Sequence, residues 1–154
     1  MQFPSLRGPY GSFSEFLAGL EGLPRRRRTL LVGIDGCGGS GKSTCGRLLA
    51  EARPDVTLVH MDDFYRPAAE RPEGTARTKP IGADFDWERV RRQVLEPLLR
   101  DQPGRYQAYD WGADRVGGPW RVVPVGGIVA VEGVTATRAE LRELYDFRIW
   151  VECP

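Results

Sequence analysis

The chain has 154 residues, of which 41% are hydrophobic and 28% are charged, and its formal net charge at pH 7 is +1. This length and balance are typical of one globular domain with a hydrophobic core, and a charge this close to zero gives no argument for a nucleic acid polymer or an acidic membrane as partner. No apolar stretch is long enough to span a bilayer, and the three cysteines, Cys37, Cys45 and Cys153, show neither a disulfide framework nor a zinc-ligand spacing, so a reducing cytoplasm fits best.

A short helix is predicted before the core of the domain. Ser12 and Glu15 stand three residues apart, as in a capping box that begins a helix. The apolar residues of this segment lie on one helical face: Phe13, Phe16, Leu17 and Leu20. The pattern stops at a proline, and Arg25 to Arg28 are interpreted as a solvated lead-in to the first strand. Residues 1–28 are therefore assigned to a helical lead-in and residues 29–154 to the core domain.

A glycine-rich motif follows the first predicted strand. Thr29 to Asp35 is a short apolar run suited to a buried parallel strand. Gly36 to Ser43 match the pattern G-x-x-x-x-G-K-S/T of the phosphate-binding P-loop. Apolar residues from Cys45 to Ala52 then fall at helical spacing, and Pro54 stops that helix. Strand, glycine loop and helix are the setting that the motif requires.

The chemistry of this motif is anion binding. Glycines let the backbone turn tightly and direct successive N–H groups at an anion, and the following helix presents its positive end to the same point. Lys42 can reach the β- and γ-phosphates of a nucleotide, and the Ser43 hydroxyl can take a place on Mg²⁺. The expected nucleotide-binding residues are Gly36, Cys37, Gly38, Gly39, Ser40, Gly41, Lys42, Ser43 and Thr44.

Three further strands are predicted from short apolar runs: Val56–Met61, Ile128–Val131 and Phe147–Val151. Asp62 and Asp63 follow the first of these runs, and Glu132 follows the second. Strands that alternate with helices form a parallel sheet covered on both faces, and ligands of such sheets bind beyond the carboxyl ends of the strands. We therefore expect an α/β fold in which the P-loop and these three carboxylates meet at one edge.

The segments between the strands are predicted to be a loop, a helix, a hairpin and a second helix. Residues 66–84 are rich in Pro, Gly, Arg and Thr, which indicates an exposed segment. Apolar residues from Trp87 onward fall at helical spacing, and Pro97 stands near the end of that helix. Residues 104–123 suggest short strands or a hairpin. A second capping-box pattern, at residues 137–140, predicts another helix before the last strand.

Phosphoryl transfer requires charge neutralisation, alignment of the reactants and an acceptor for the proton of the attacking hydroxyl. Lys42 and the P-loop amides supply the first of these. We expect Asp62 to accept the proton, with Asp63 as a close rival. The catalytic residues assigned from the sequence are therefore Asp62 and Lys42.

Oxygen-bearing side chains at the same edge are expected to hold Mg²⁺, which prefers oxygen ligands and keeps several waters. The candidate magnesium residues are Ser43, Asp62 and Glu132, with Glu132 acting directly or through a water. His60, the one histidine of the chain, lies in an apolar run without a candidate nucleophile beside it, so we expect it to pack or to make a strand-end hydrogen bond.

Five segments together resemble the uridine kinase family of P-loop kinases: Gly33–Gly36, His60–Tyr65, Phe85–Trp87, Tyr109–Trp111 and Val131–Gly133. The matches run in order from about residue 30 to residue 153. This family phosphorylates the 5′-hydroxyl of uridine or cytidine from ATP with Mg²⁺. The resemblance therefore implies that activity, ATP and Mg²⁺ as cofactors, and a P-loop NTPase three-layer sandwich with a mostly parallel sheet.

The resemblance also implies an acceptor site. Tyr65 resembles a residue near the nucleoside, and Tyr109 and Trp111 resemble the aromatic pair that holds the base. Asp84 or Asp86 corresponds to the acid that binds the ribose hydroxyls. Asp62 aligns with the family's catalytic base, and Ser43 and Glu132 with its magnesium residues. The acceptor-binding residues expected in this chain are Asp63, Tyr65, Asp84, Asp86, Tyr109 and Trp111.

Two departures from the family leave alternatives open. Asp114 stands where family members usually carry a histidine that reads the pyrimidine. The family also continues past the fourth strand into an arginine-bearing lid and a fifth strand, so residues 29–154 are expected to be a kinase core truncated at the C-terminus. Arg66, Arg71 and Arg77 are candidates to replace part of the lid. The alternatives are a kinase for another small alcohol or nucleotide and a non-catalytic ATP-binding module, and a homo-oligomer stays open.

Overall fold

The computed structural model describes residues 12–152, and a four-stranded parallel sheet lies at its centre. Residues 1–11, Cys153 and Pro154 lie outside the described part. In chain order the strands are β1 (Leu30–Gly36), β2 (Val56–His60), β3 (Gly104–Tyr106), β4 (Tyr109–Asp110), β5 (Arg115–Val116), β6 (Arg121–Val123), β7 (Ile128–Glu132) and β8 (Phe147–Val151). The central sheet has the order β2-β7-β1-β8. Its strands match the four predicted ones to within one residue at each end.

Helices cover both faces of this sheet. The helices are α1 (Phe13–Glu21), α2 (Lys42–Ala52), α3 (Trp87–Val90) and α4 (Glu96–Leu99), with a π-helical segment at Arg91–Leu95. Successive side chains of a strand point to opposite faces. Leu30, Val32 and Ile34 of β1 therefore lie in one buried cluster with α1 and α2, whereas Leu31 lies in the other cluster with the α3–α4 segment. The three-layer α/β architecture is confirmed.

The predicted helix that begins at Trp87 is confirmed, but it runs past Pro97 to Leu99. Pro97 has no N–H to donate to the carbonyl of Gln93, one turn earlier. The preceding turn is wider than an α-helical turn, because the N–H of Glu96 bonds to the carbonyl five residues before it. Short strands are also confirmed between residues 104 and 123, where β3 pairs with β6 and β4 pairs with β5, both antiparallel.

The helix predicted from residues 137–140 is wrong. The segment forms turns and a short 3₁₀ helix at Arg142–Leu144. The N–H and hydroxyl of Thr137 donate to Asp35, at 2.8 and 2.9 Å, so Thr137 does not cap a helix. Glu140 pairs instead with Arg138 at 2.8 Å. Long-range hydrogen bonds therefore outweigh the local capping pattern.

The arginine run before β1 is more ordered than the predicted solvated lead-in. Arg27 forms an ion pair with Asp146 at 2.8 Å, with side-chain exposures of 15% and 10%. Arg25 donates to the carbonyl of Gly127 at 2.7 Å. Arg25, Arg26 and Arg28 are exposed, as expected of a solvated lead-in, and the contacts of Arg25 and Arg27 connect the run to the segments just before β7 and β8. Among the described residues, no helix combines the length and apolarity needed to cross a bilayer.

Candidate active site

The P-loop connects the end of β1 to the start of α2 at the carboxyl edge of the sheet. Gly36 has φ of +152°, and a Cβ placed there would lie 2.3 Å from the carbonyl oxygen of Val151 in β8. Gly41, the residue before α2, is left-handed with φ of +100°. Both positions therefore favour glycine for a physical reason, and the turn that they form directs the backbone into the first turn of α2.

Two side chains of the loop point to a role in binding an anion. Lys42 is only 7% exposed, and its Nζ donates to the carbonyl of Cys37 at 2.6 Å, which holds the ammonium over the loop. Within residues 12–152, the Oγ of Ser40 is buried without a hydrogen-bond partner. A buried polar atom without a partner is costly. A phosphate oxygen in the loop is the kind of group that would satisfy it.

Glu132 joins the P-loop to the end of β2. The parallel register places Glu132 of β7 between Ile34 of β1 and His60 of β2. The hydroxyl of Ser43 lies 3.2 and 3.3 Å from the two oxygens of the Glu132 carboxylate, and the Nδ1 of His60 lies 2.5 Å from Oε1. The hydrogen bond to Glu132 raises the pKa of His60. The fold thus brings together residues that stand far apart in the sequence.

Asp62 lies beside this group, in the 3₁₀ turn that follows β2. Asp62 is open to solvent on one side only, and among the described residues no hydrogen bond to its carboxylate is found. Partial burial, and then the negative charge of Glu132, raise the pKa of Asp62, while the charge of Lys42 acts in the opposite direction. A carboxylate that accepts no hydrogen bond and whose pKa is raised has the properties of a general base.

Asp63, in contrast, is held by the β3–β6 ribbon. Its Oδ2 accepts hydrogen bonds from the hydroxyl of Tyr106 at 3.1 Å and from Arg121 at 2.7 Å. Arg89 donates to its backbone carbonyl at 3.2 Å. These contacts give Asp63 a role in connecting the turn after β2 to the ribbon, so we carry only Asp62 forward as the base.

Three aromatic residues that the resemblance assigned to the acceptor site pack against one another. The rings of Tyr65 and Trp111 are stacked, with centroids 4.7 Å apart. The ring of Tyr109 meets each of them edge-on, at 5.6 and 5.0 Å. Trp111 is 61% exposed. We call Tyr65, Tyr109 and Trp111 the aromatic cluster, and its exposed ring is suited to stacking against a planar ligand.

The two acids that were alternatives for ribose binding have different surroundings. Asp84 lies at the aromatic cluster, where it accepts hydrogen bonds from Lys79 at 2.8 Å and from the hydroxyl of Tyr65 at 3.4 Å. Asp86 caps α3 by accepting the N–H of Arg89 at 3.1 Å. The contacts therefore favour Asp84 as an acceptor-site residue and give Asp86 a structural role.

Ser43 and Glu132 are the residues at the sheet edge that could hold Mg²⁺. Among the described residues, no group of three or more His, Cys, Asp or Glu side chains has the arrangement of a metal site. Ser43 and Glu132 nevertheless offer one hydroxyl and one buried carboxylate in contact. Mg²⁺ is commonly held by one or two carboxylates together with waters and substrate phosphates. This donor set therefore fits Mg²⁺ bound together with a nucleotide.

Comparisons with known proteins agree with this geometry. No protein-family model matches the chain. A uridine kinase of Streptococcus uberis is 27% identical over 135 residues, which are 82% of this chain and 62% of that protein. The solved structure of a possible uridine kinase from Bacillus stearothermophilus superposes with a TM-score of 0.71 at 26% identity, covering 91% of this chain and 79% of that one. The chain is therefore similar to uridine kinases in both sequence and fold.

A second kind of relative matches a shorter part of the chain. A nicotinamide riboside kinase of Eremothecium gossypii is 54% identical over 56 residues, which are 36% of this chain and 22% of that protein. The chain therefore spans 62% of the length of the S. uberis relative and 22% of the E. gossypii one. The resemblance seen in the sequence, and the fold that it implied, are confirmed.

Sequence reasoning missed two features of this candidate site. Asp35 bonds to both the P-loop and the segment after β7, yet in the sequence it is only the last residue of an apolar run. Arg71 lies over the ring of Tyr65, with its guanidinium carbon 4.6 Å from the centroid. It also donates to the hydroxyl of Tyr109 at 2.9 Å and to Asp114 at 3.1 Å. The Pro/Gly-rich composition around Arg71 gave no signal of these contacts.

Proposed function

We propose that the chain transfers the γ-phosphoryl group of ATP to the 5′-hydroxyl of a nucleoside such as uridine or cytidine. In this proposal the P-loop and Lys42 bind the phosphates, and Ser43 and Glu132 hold Mg²⁺. Asp62 takes the proton of the attacking hydroxyl, the oxygen forms a bond to the γ-phosphorus, and ADP leaves. Bound Mg²⁺ supplies neutralisation of the phosphate charge. We expect the reaction to take place in the cytoplasm.

One observation carries this proposal: the P-loop hydroxyl, the buried Glu132 carboxylate and the free Asp62 carboxylate meet at one edge of the sheet. Ser43 lies 3.2 Å from Glu132. Asp62 comes two residues after His60, which pairs in register with Glu132, so both carboxylates belong to the same edge of the sheet. An anion site, a metal-binding pair and a nearby base are the parts that phosphoryl transfer to a hydroxyl requires.

The aromatic cluster supports a nucleoside as the acceptor. It begins at Tyr65, the residue that ends the 3₁₀ turn containing Asp62. Its exposed Trp111 ring can stack on a base, and Asp84 can accept hydrogen bonds from ribose hydroxyls. Because an aromatic face and a carboxylate stand together there, the site is suited to a sugar joined to a flat ring.

A nicotinamide riboside-type acceptor is the second candidate, and a specific contact favours it. The guanidinium of Arg71 lies over Tyr65 and also contacts the carboxylate of Asp114. Aromatic faces and a carboxylate around a cation are the surroundings that a cationic pyridinium base requires. Asp114 also replaces the histidine expected in pyrimidine-specific relatives. The 54% identity over 56 residues to the E. gossypii enzyme agrees with this candidate.

The experiment is a measurement of ADP release from ATP with a panel of acceptors: uridine, cytidine, nicotinamide riboside, other small alcohols and no acceptor. We expect release that requires Mg²⁺ and uridine or cytidine, and that is lost in a Lys42→Ala control. Release with nicotinamide riboside alone would select the second candidate. Binding of ATP and Mg²⁺ without ADP release for any acceptor would contradict both candidates and indicate a non-catalytic binding module.

A further inference from the structure

His60 lies beside the proposed magnesium residues, although the proposed reaction assigns it no role. It is the last residue of β2, and the parallel register sets it opposite Glu132 of β7. Its Nδ1 is 2.5 Å from Oε1 of Glu132. An ionised carboxylate can only accept a hydrogen bond, so the Nδ1–H of His60 donates. His60 is therefore bonded to a metal candidate and is not simply packed in the strand.

The Glu132 carboxylate needs a donor on that side. Only 6% of its side chain is exposed, against 46% for His60. Its other hydrogen-bond partner is the hydroxyl of Ser43, at 3.2 and 3.3 Å, and the charge of Asp62 interacts unfavourably with it. A buried carboxylate with a like charge nearby is costly unless it is hydrogen-bonded. Without His60, the Ser43 hydroxyl is the one hydrogen-bond donor that the described residues offer to this carboxylate.

We propose that His60 is a positioning residue: by holding Oε1 of Glu132, it keeps that carboxylate against the Ser43 hydroxyl, ready for Mg²⁺. This proposal rests on the proposed function in one respect, the assignment of Ser43 and Glu132 to the metal. Removal of the hydrogen-bond partner of a ligating group typically lowers metal affinity about 10–100-fold. His60 acts through Glu132, so the binding of the nucleotide itself does not depend on it.

The test compares two substitutions of His60 that differ in one property. His60→Leu removes the donor, whereas His60→Asn keeps an N–H group close to the position of Nδ1. The affinity for ADP is measured by calorimetry with excess EDTA. The affinity of the protein–ADP complex for Mn²⁺, a paramagnetic substitute for Mg²⁺, is then measured by electron paramagnetic resonance. Thermal unfolding shows that each variant is folded.

We expect His60→Leu to weaken Mn²⁺ binding about tenfold or more, with metal-free ADP affinity within about twofold of wild type. His60→Asn should recover most of the loss. In a Glu132→Gln background, His60→Leu should cause no further loss of Mn²⁺ affinity, because His60 acts on the metal only through Glu132. Unchanged Mn²⁺ affinity in His60→Leu, or an equal loss of metal-free ADP affinity, would overturn the proposal. Metal binding is measured without turnover. If the chain had no kinase activity, the proposed function would be contradicted, but the Mn²⁺ affinities would still decide the role of His60.

Discussion

Replacing Asp35 by Ala should separate the P-loop from the segment that follows β7. Asp35 is 5% exposed at the end of β1. Its Oδ1 accepts the N–H groups of Gly36 and Thr135 at 2.7 and 2.9 Å, and its Oδ2 accepts the N–H and hydroxyl of Thr137 at 2.8 and 2.9 Å. One carboxylate therefore serves three backbone donors and one hydroxyl.

The expected loss follows from those four hydrogen bonds. A hydrogen bond contributes about 1 kcal/mol net, and one to a charged group about 1.5–3 kcal/mol. Water can enter the space left by the carboxylate and form some of the lost hydrogen bonds. We therefore expect the free energy of unfolding to fall by about 4 kcal/mol. In a domain of this size, 1 kcal/mol shifts Tm by about 2–4 °C, which gives a decrease of about 8–16 °C. Asp35→Asn, which keeps one acceptor oxygen, should lose about half as much.

Urea and thermal unfolding, followed by tryptophan fluorescence, measure this change. The matched control is Asp110→Ala, because the exposed Asp110 accepts two N–H groups in a turn, from Gly112 and Ala113 at 2.9 and 3.1 Å. The control should lose less than about 1 kcal/mol. A loss in Asp35→Ala no larger than the loss in the control would refute the connection between the P-loop and the β7 segment.

Three further predictions concern the loop, the acceptor and pH. Gly36→Ala places a Cβ 2.3 Å from a carbonyl oxygen of β8, so ATP affinity measured by calorimetry should fall at least about tenfold; normal affinity would contradict this. Trp111→Ala removes the ring stacked on Tyr65. Because base stacking contributes about 1–3 kcal/mol, steady-state kinetics should show a KM for the nucleoside about 5- to 150-fold higher, with the KM for ATP unchanged. Equal changes in the two KM values would contradict a role of Trp111 in binding the base. The hydrogen bond to Glu132 raises the pKa of His60, so His60 stabilises the fold below about pH 6.5 and this contribution is lost as pH rises through the folded-state pKa. Urea unfolding should therefore give different free energies of unfolding for His60→Asn and wild type at about pH 6, and the two values should converge at higher pH. A difference in free energy that does not depend on pH would contradict this prediction.

Local patterns were sufficient to predict the strands and the P-loop. Each of the four central strands is a short apolar run, and the loop is fixed by glycines and Lys42 in adjacent positions. The meeting of Glu132 with Ser43 could also be anticipated, because parallel strands place their carboxyl ends at one edge. The order β2-β7-β1-β8 could not be read from periodicity, since it depends on which strands pair over long distances in the sequence.

Long-range contacts explain what the sequence did not predict. The carboxylate of Asp35 takes the hydrogen bonds of Thr137, and the expected helix does not form. Asp62 and Asp63 are adjacent in the sequence, and the long-range contacts of the Asp63 carboxylate with Tyr106 and Arg121 distinguish them. The aromatic cluster was anticipated from the resemblance to a family and not from spacing, and the position of Arg71 over Tyr65 depends on how an irregular segment folds back.

Comparison of Asp62→Asn with Asp63→Asn tests most directly whether a base at the edge of the sheet acts on an acceptor next to the P-loop. Both changes neutralise one carboxylate in the same turn. We predict that Asp62→Asn lowers kcat with uridine or cytidine about 10²–10⁴-fold, with ATP affinity within about twofold of wild type. Asp63→Asn should lower Tm and leave most of kcat. Wild-type turnover in Asp62→Asn, or a larger loss of kcat in Asp63→Asn, would contradict the account.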